Sequence, residues 1–122
     1  DALREGRGWR VPDLINAHAT STPMGDYIEI DAINRLGLQD VWITANKSQI
    51  GHLMGAAGAM ETALSLLSLK NDVITPSLNI EELESGYNIK YTPTTIPHEV
   101  NSVLCNSFGF GGANASILLS KT

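Results

Sequence analysis

Apolar positions along the chain fall into short runs separated by glycine, proline and hydroxyl-bearing joints. Leu14 to Ala17 is apolar after Pro12-Asp13 and reads as a strand. Thr20-Ser21-Thr22-Pro23 is a helix-start signal, with a hydroxyl N-cap and proline at the first helical position. That helix is expected to run to about Leu36 and stop at Gly37, with Ile28, Ala32, Ile33 and Leu36 on one face. Val41 to Ala45 is β-branched and aromatic, which predicts a strand. Asn46 to Gly55 reads as a loop, Ala56 to Lys70 as a second helix, and Ile74 to Tyr87 as irregular. Asn88 to Tyr91, Ser102 to Cys105 and Ala115 to Leu119 are further candidate strands, the last two joined by a loop from Asn106 to Asn114. Asp1 to Arg10 reads as a helix end followed by a loop.

The strands do not alternate apolar with polar. Val41-Trp42-Ile43 and Ile117-Leu118-Leu119 are continuous runs, as expected where a sheet is covered on both faces. Strands alternating with helices indicate an α/β fold. The second helix is less usual, because its only charge between Ala56 and Leu69 is Glu61. A helix apolar all round must be buried all round. One other helix and a few strands are too little to wrap it, so a partner or another part of the same protein is expected to cover one side.

Composition adds bounds. In 122 residues there are 8 Lys+Arg and 13 Asp+Glu, a formal net charge of -5. No basic run is present, which argues against nucleic-acid binding along the chain. Ser48 to Leu69 and Val100 to Ser120 are long enough to cross a bilayer, but both are interrupted by Gly, Ser and amide residues, so no membrane span is expected. Cys105 is the only cysteine, which rules out an internal disulfide and fits a reducing compartment. The first residue is Asp and no basic-then-apolar leader follows. The 122 residues read as a single domain that is a piece of something longer or a processed product. The acidic group Glu81, Glu82 and Glu84 reads as a solvated surface.

Three local signals could carry chemistry. His18 sits in Asn16-Ala17-His18-Ala19-Thr20-Ser21-Thr22-Pro23, just past a strand and before a capped helix. His52 follows Lys47-Ser48-Gln49-Ile50-Gly51 and precedes Gly55-Ala56-Ala57-Gly58. Asn106-Ser107-Phe108-Gly109-Phe110-Gly111-Gly112 is a glycine-rich turn between strands. Strand-to-helix junctions are where α/β proteins place their sites. The glycine turn is not a dinucleotide fingerprint, since the register from Gly109 puts Asn at 114 and a strand follows.

On these residues the chain resembles the C-terminal half of a β-ketoacyl-[acyl-carrier-protein] synthase of the elongating, two-histidine type. The blocks NAHATSTPMGD, KSQIGHLMGAAGAMET and LCNSFGFGGANAS stand in that family's order and spacing, from Leu14 through Leu119. The resemblance implies the C-terminal half of a thiolase-like fold, five αβαβα layers when complete, working as a homodimer in the cytoplasm or an organelle matrix. It implies decarboxylative condensation of malonyl thioesters carried on the phosphopantetheine of acyl carrier protein, with no metal or redox cofactor. The nucleophilic cysteine and the rest of the fold would lie in an N-terminal half that is not among these residues.

By the same resemblance, His18 and His52 donate hydrogen bonds to the malonyl thioester oxygen, such donors being worth about 3–4 kcal/mol each. Lys47 matches a buried lysine and Glu61 its structural ion-pair partner. A lysine charge of this kind lowers the pKa of a nearby histidine. Phe110 supplies an oxyanion-hole N–H; Phe108 and Phe110 gate the acyl pocket; Gly109, Gly111 and Gly112 give that loop unusual backbone angles. Thr20 and Thr22 face the phosphopantetheine arm, Thr22 competing with its part as a helix N-cap. Cys105, within the strand run Val103-Leu104-Cys105, and His98, in a polar turn, read as structural. Asn46 and Ala113 stand where threonine is common in the family. Arg4, Arg7, Arg10 and Arg35 are the basic candidates for an acidic carrier protein, although surface arginines also simply solubilise. A thiolase would place a second cysteine in the glycine loop, where this chain has none. A polyketide ketosynthase domain keeps both histidines and the lysine, whereas a scaffolding chain-length-factor subunit tends to lose such positions.

Overall fold

The computed structural model describes residues 2–4, 11–83 and 85–122. The reading of Asp1 to Arg10, with Arg7 and Arg10, and that of Glu84 fall largely or wholly outside these. The elements in chain order are β1 (Leu14–Asn16), α1 (Pro23–Arg35), β2 (Trp42–Thr44), the one-turn α2 (Lys47–Ile50), α3 (Ala57–Asn71), β3 (Val73–Ile74), β4 (Ile96–Pro97), β5 (Ser102–Phe108) and β6 (Asn114–Ser120). A 3-10 turn, Met54–Ala56, leads into α3. The main sheet runs β2-β1-β5-β6, the first three strands parallel and β6 antiparallel to β5, and β3 and β4 pair separately. This is the expected mixed α/β sheet.

Period-two alternation along β1 divides the core. Ile15 and Ala17 join Ile33, Leu38, Ile43 and Leu104 in one cluster. Leu14 joins Leu69, Ile74, Val100 and Val103 in another. Asn16 shares the face of Leu14, and the two N–H groups of its buried amide are shared among Asn46 Oδ1 at 2.9 Å, the Glu61 carbonyl at 3.0 Å and Ser65 Oγ at 2.9 Å. The sheet thus lies between α1 and α3.

The helix ends follow the sequence signals. Thr22 precedes α1 in extended conformation with Pro23 behind it, although its hydroxyl makes no capping bond, and Gly37 has φ +72°. The buried side of α3 holds Ala57, Glu61, Ser65, Ser68 and Leu69, while Met60, Leu66 and Leu67 are exposed. The helix is therefore inverted relative to an ordinary surface helix. Its sheet-facing side is small or polar because Asn16 must be satisfied there.

Several expectations are corrected. Of the face Ile28, Ala32, Ile33 and Leu36, only Ile33 is buried, with Glu29 beside it in the core. Ile117, in the edge strand β6, is exposed. Asn88 to Tyr91 forms no strand: Lys90 alone bridges Trp42, and the Thr92 carbonyl accepts from Ser77 just before Pro93. The Asn46 to Gly55 loop contains α2, and β5 extends through Asn106 and Ser107 to Phe108, which shortens the expected loop to a hairpin turn. The two-residue strands β3 and β4 lie below what periodicity can register.

Leu14→Ala empties a fully buried site and is expected to cost about 3 kcal/mol in urea unfolding. Leu66→Ala, on the open side of α3, is expected to change stability by less than about 1 kcal/mol in the same measurement.

Candidate active site

The parallel strands β1, β2 and β5 end on the same edge of the sheet, and each delivers one of the three sequence signals there. His18 follows β1, Lys47 and His52 follow β2, and Phe108 ends β5. The His18 and His52 ring centroids lie 5.8 Å apart with planes at 87°, and the Phe108 ring is 5.6 Å from His18. Together with Thr20, Thr22 and Phe110 they line an open groove of about 960 Å³.

Lys47 organises His18. Its ammonium donates to a Glu61 carboxylate oxygen and, at 2.5 Å, to the His18 carbonyl, and it faces His18 Nδ1 at 3.4 Å. Both side chains of the ion pair are buried, at 6% and 1% exposure, so neither charge has water to fall back on. A neutral imidazole carries one proton. With Nδ1 turned to an ammonium, the His18 proton belongs on Nε2. His52 reaches the same tautomer differently, its Nδ1 accepting from the Met54 backbone N–H at 3.1 Å. Both rings are thereby left with Nε2–H as donor. Burial first, then the Lys47 charge, then His52, hold the His18 pKa below its ordinary 6.5.

Glu29 is a functional-site residue that the sequence reading missed. Its Oε1 accepts from the His18 backbone N–H and its Oε2 from that of Ala19, both at 3.0 Å, while Asn106 Nδ2 donates to Oε1 at 3.1 Å. Ala19 has φ +33°, an unfavourable angle for a residue with a Cβ, and the carboxylate holds it there. Burial pushes the Glu29 carboxyl above its ordinary value against the pull of these bonds and of Lys47. The available signal was an acid at position 29, one helical turn before Ala32 and Ile33 and so on the side that Ile33 turns to the core.

The remaining expected residues divide. The Thr20 and Thr22 hydroxyls are 3.4 Å apart at the groove edge, and a Cβ on Gly25 would stand 2.5 Å from the Thr22 hydroxyl. Gly25 is thus a second residue the reading passed over. Phe110 stands fully exposed at the hairpin tip. Gly111 and Gly112 both have φ +83°, as expected, but Gly109 does not enter the left-handed region and instead donates its N–H to the Ala113 carbonyl at 2.8 Å. Cys105 is buried in β5, where burial pushes its thiol pKa up. His98 packs against Trp42 on the sheet's opposite end, and Arg35 pairs with Asp31 on the surface. Among the described residues no three His, Cys, Asp or Glu side chains converge to hold a metal ion, and no helix is long and apolar enough to cross a membrane.

Residues 11–81 match the family model of the beta-ketoacyl synthase C-terminal domain. This chain belongs to that family. The chain is 44% identical over 111 residues to 3-oxoacyl-[acyl-carrier-protein] synthase 1 of Escherichia coli K12, covering 89% of this chain and 27% of that protein. It is 47% identical over 113 residues to the synthase 1 of Haemophilus influenzae, covering 89% and 28%. It superposes on a beta-ketoacyl synthase from Burkholderia phymatum STM815 with a TM-score of 0.87 at 31% identity, covering 92% of this chain and 28% of that one. The chain therefore spans little more than a quarter of the relatives it matches, and it corresponds to their C-terminal portion with the thiolase-like fold.

Because the folded-state pKa of His18 lies below the unfolded 6.5, the unfolded chain binds more protons between those values. The His18 contribution to stability is complete above pH 6.5 and declines as pH falls through that window. An NMR titration of His18 is expected to give a midpoint below 6.5. Combining Lys47→Met with Glu61→Gln is expected to raise that midpoint while leaving it under 6.5, since burial persists.

Proposed function

We propose that the protein carrying this chain condenses malonyl-acyl carrier protein with an acyl group held as a thioester on a cysteine outside these residues. His18 and His52 are the pair that binds the malonyl thioester oxygen. The carbon–carbon bond to the carboxylate breaks and carbon dioxide leaves. The electron pair passes to the thioester as an enolate, whose oxygen accepts from the two Nε2–H groups. The enolate carbon attacks the acyl carbonyl, and the cysteine thiolate departs to give the 3-oxoacyl thioester. The observation that carries this reading is the convergence of two imidazoles in one groove with Nδ1 of each already engaged. Fixed neutral donors of this kind lower the barrier because charge develops where they already point.

The other assignments follow. Lys47 orients and neutralises His18, Glu61 balances Lys47, and Glu29 fixes the His18 backbone. The Phe110 N–H belongs to the acyl oxyanion hole, Phe108 and Phe110 border the acyl entrance, and Gly109 with Gly111 shapes their turn. Thr20 and Thr22 hold the phosphopantetheine arm of the carrier protein. The N-terminal half of the synthase covers the apolar side of α3, and the complete enzyme is a homodimer of the cytoplasm or an organelle matrix. The pathway assigned is fatty acid synthesis, supported by 44% and 47% identity to synthase 1 of E. coli and of H. influenzae and 40% to synthase 2 of Vibrio harveyi. A polyketide ketosynthase is the second reading, favoured by 31% identity and a TM-score of 0.86 to the ishigamide ketosynthase/chain length factor.

In the full-length protein, His18→Ala and His52→Ala are each expected to lower malonyl decarboxylation about 100-fold or more while cysteine acylation stays within a few-fold. Decarboxylation undiminished in either variant would remove the assignment. The 122 residues alone are expected to show no condensation when mixed with acyl- and malonyl-carrier protein.

A further inference from the structure

We infer that Asn106 is a positioning residue, whose side chain transmits the placement of the β5–β6 hairpin to the backbone of His18 through Glu29. This rests on the function proposed above and extends it to a residue with no contact to the reacting atoms. Asn106 is buried in β5, and both ends of its amide are used. Nδ2 donates to Glu29 Oε1 at 3.1 Å, and Oδ1 accepts from Ser116 Oγ of β6 at 2.8 Å. The same Glu29 oxygen accepts the His18 N–H, and the other fixes Ala19 in its left-handed conformation. Two residues beyond Asn106 on the same strand face, the Phe108 ring meets the His18 ring at 5.6 Å. Strand β5 therefore grips His18 twice, by its backbone through the amide–carboxylate link and by its ring through Phe108. A shift of the hairpin cannot leave the imidazole where it was.

The position calls for a group that donates to a carboxylate and accepts from a hydroxyl at once. Asparagine does both without charge. Aspartate has the same shape but would face Glu29 as a like charge unless the two carboxyls share a proton. Lys47 is the cation whose charge reaches Glu29, and His18 the nearest imidazole, so both enter any comparison across pH.

The test is malonyl decarboxylation by the full-length protein from pH 5.5 to 8.5, expressed per folded molecule and as a ratio to wild type at each pH. Asn106→Asp is expected to fall from near parity at the acid end to a tenfold or greater loss in kcat at the alkaline end, with KM within twofold. Asn106→Ala is expected to lose about tenfold at every pH. Ser116→Ala, which removes only the far end of the link, is expected to lose two- to threefold and serves if either Asn106 variant fails to fold. Ratios that stay at parity, or losses that vanish once activity is expressed per folded molecule, would overturn the proposal. His18→Ala in the same assay separates the two levels: if it keeps decarboxylating, the proposed function fails, and if it does not while the Asn106 and Ser116 variants match wild type, the link alone fails.

Discussion

A single buried ammonium holds the site together. Lys47 spends its donors on the Glu61 carboxylate of α3, the carbonyl of His18 and Nδ1 of the His18 ring. Those contacts tie the segment after β2 to the central helix and to the turn after β1. They also decide which imidazole nitrogen carries the proton and help keep that imidazole uncharged. Removing one member of such a pair strands the other in a low-dielectric interior, at a cost of about 3–5 kcal/mol. The electrostatics of the histidines and the packing of three elements are therefore one arrangement.

Around that cation the rest of the polar interior is arranged as a continuation. Asn16 gathers Asn46, Ser65 and the Glu61 carbonyl, and Asn46 passes on to Thr44 and Thr75 at 3.1 Å each. These shared bonds fix one geometry for the segments that meet there, although Asn16 Oδ1 and Glu61 Oε2 are left without a partner. The sheet supplies rigidity and these amides and hydroxyls supply register.

Much of this was legible in the sequence. Proline after a hydroxyl marked the start of α1, glycine marked its end, and the continuous run at Val41 to Ile43 marked β2, whose Ile43 is buried, like Val41 just before it, although the strand lies at an edge of the sheet. The three motif blocks singled out the histidines, lysine and phenylalanines, while their meeting on one edge of the sheet follows from the parallel pairing of β1 with β2 and β5. What escaped had physical reasons. Asn88 to Tyr91 has strand composition, but it meets β2 only at Lys90, whose carbonyl accepts from the Ile43 N–H, and one bridge does not make a strand. Glu29 looked like an ordinary helix acid, since nothing local tells that its carboxylate is wanted by two backbone N–H groups and an amide 77 residues away. The faces of α1 were misjudged because apolar periodicity does not say which apolar side finds cover within this stretch. For α3 the same ambiguity worked in favour of the reading: a helix with almost no charge left one side open, as the exposed Met60, Leu66 and Leu67 bear out.

The pairing of β1 with β5 has a consequence for biosynthesis. Leu14 is registered against Val103, and Asp13 accepts from the backbone of Asn101 and Ser102, so the first strand of the sheet waits for nearly the last. A ribosome delivers these segments far apart in time, and contacts of such long range close slowly. The nascent polypeptide must hold an unfinished sheet, with Ile15 and Leu14 lacking their later neighbour, until the closing hairpin leaves the exit tunnel. The edge that carries His18 and Phe108 is complete only once β1 and β5 have paired.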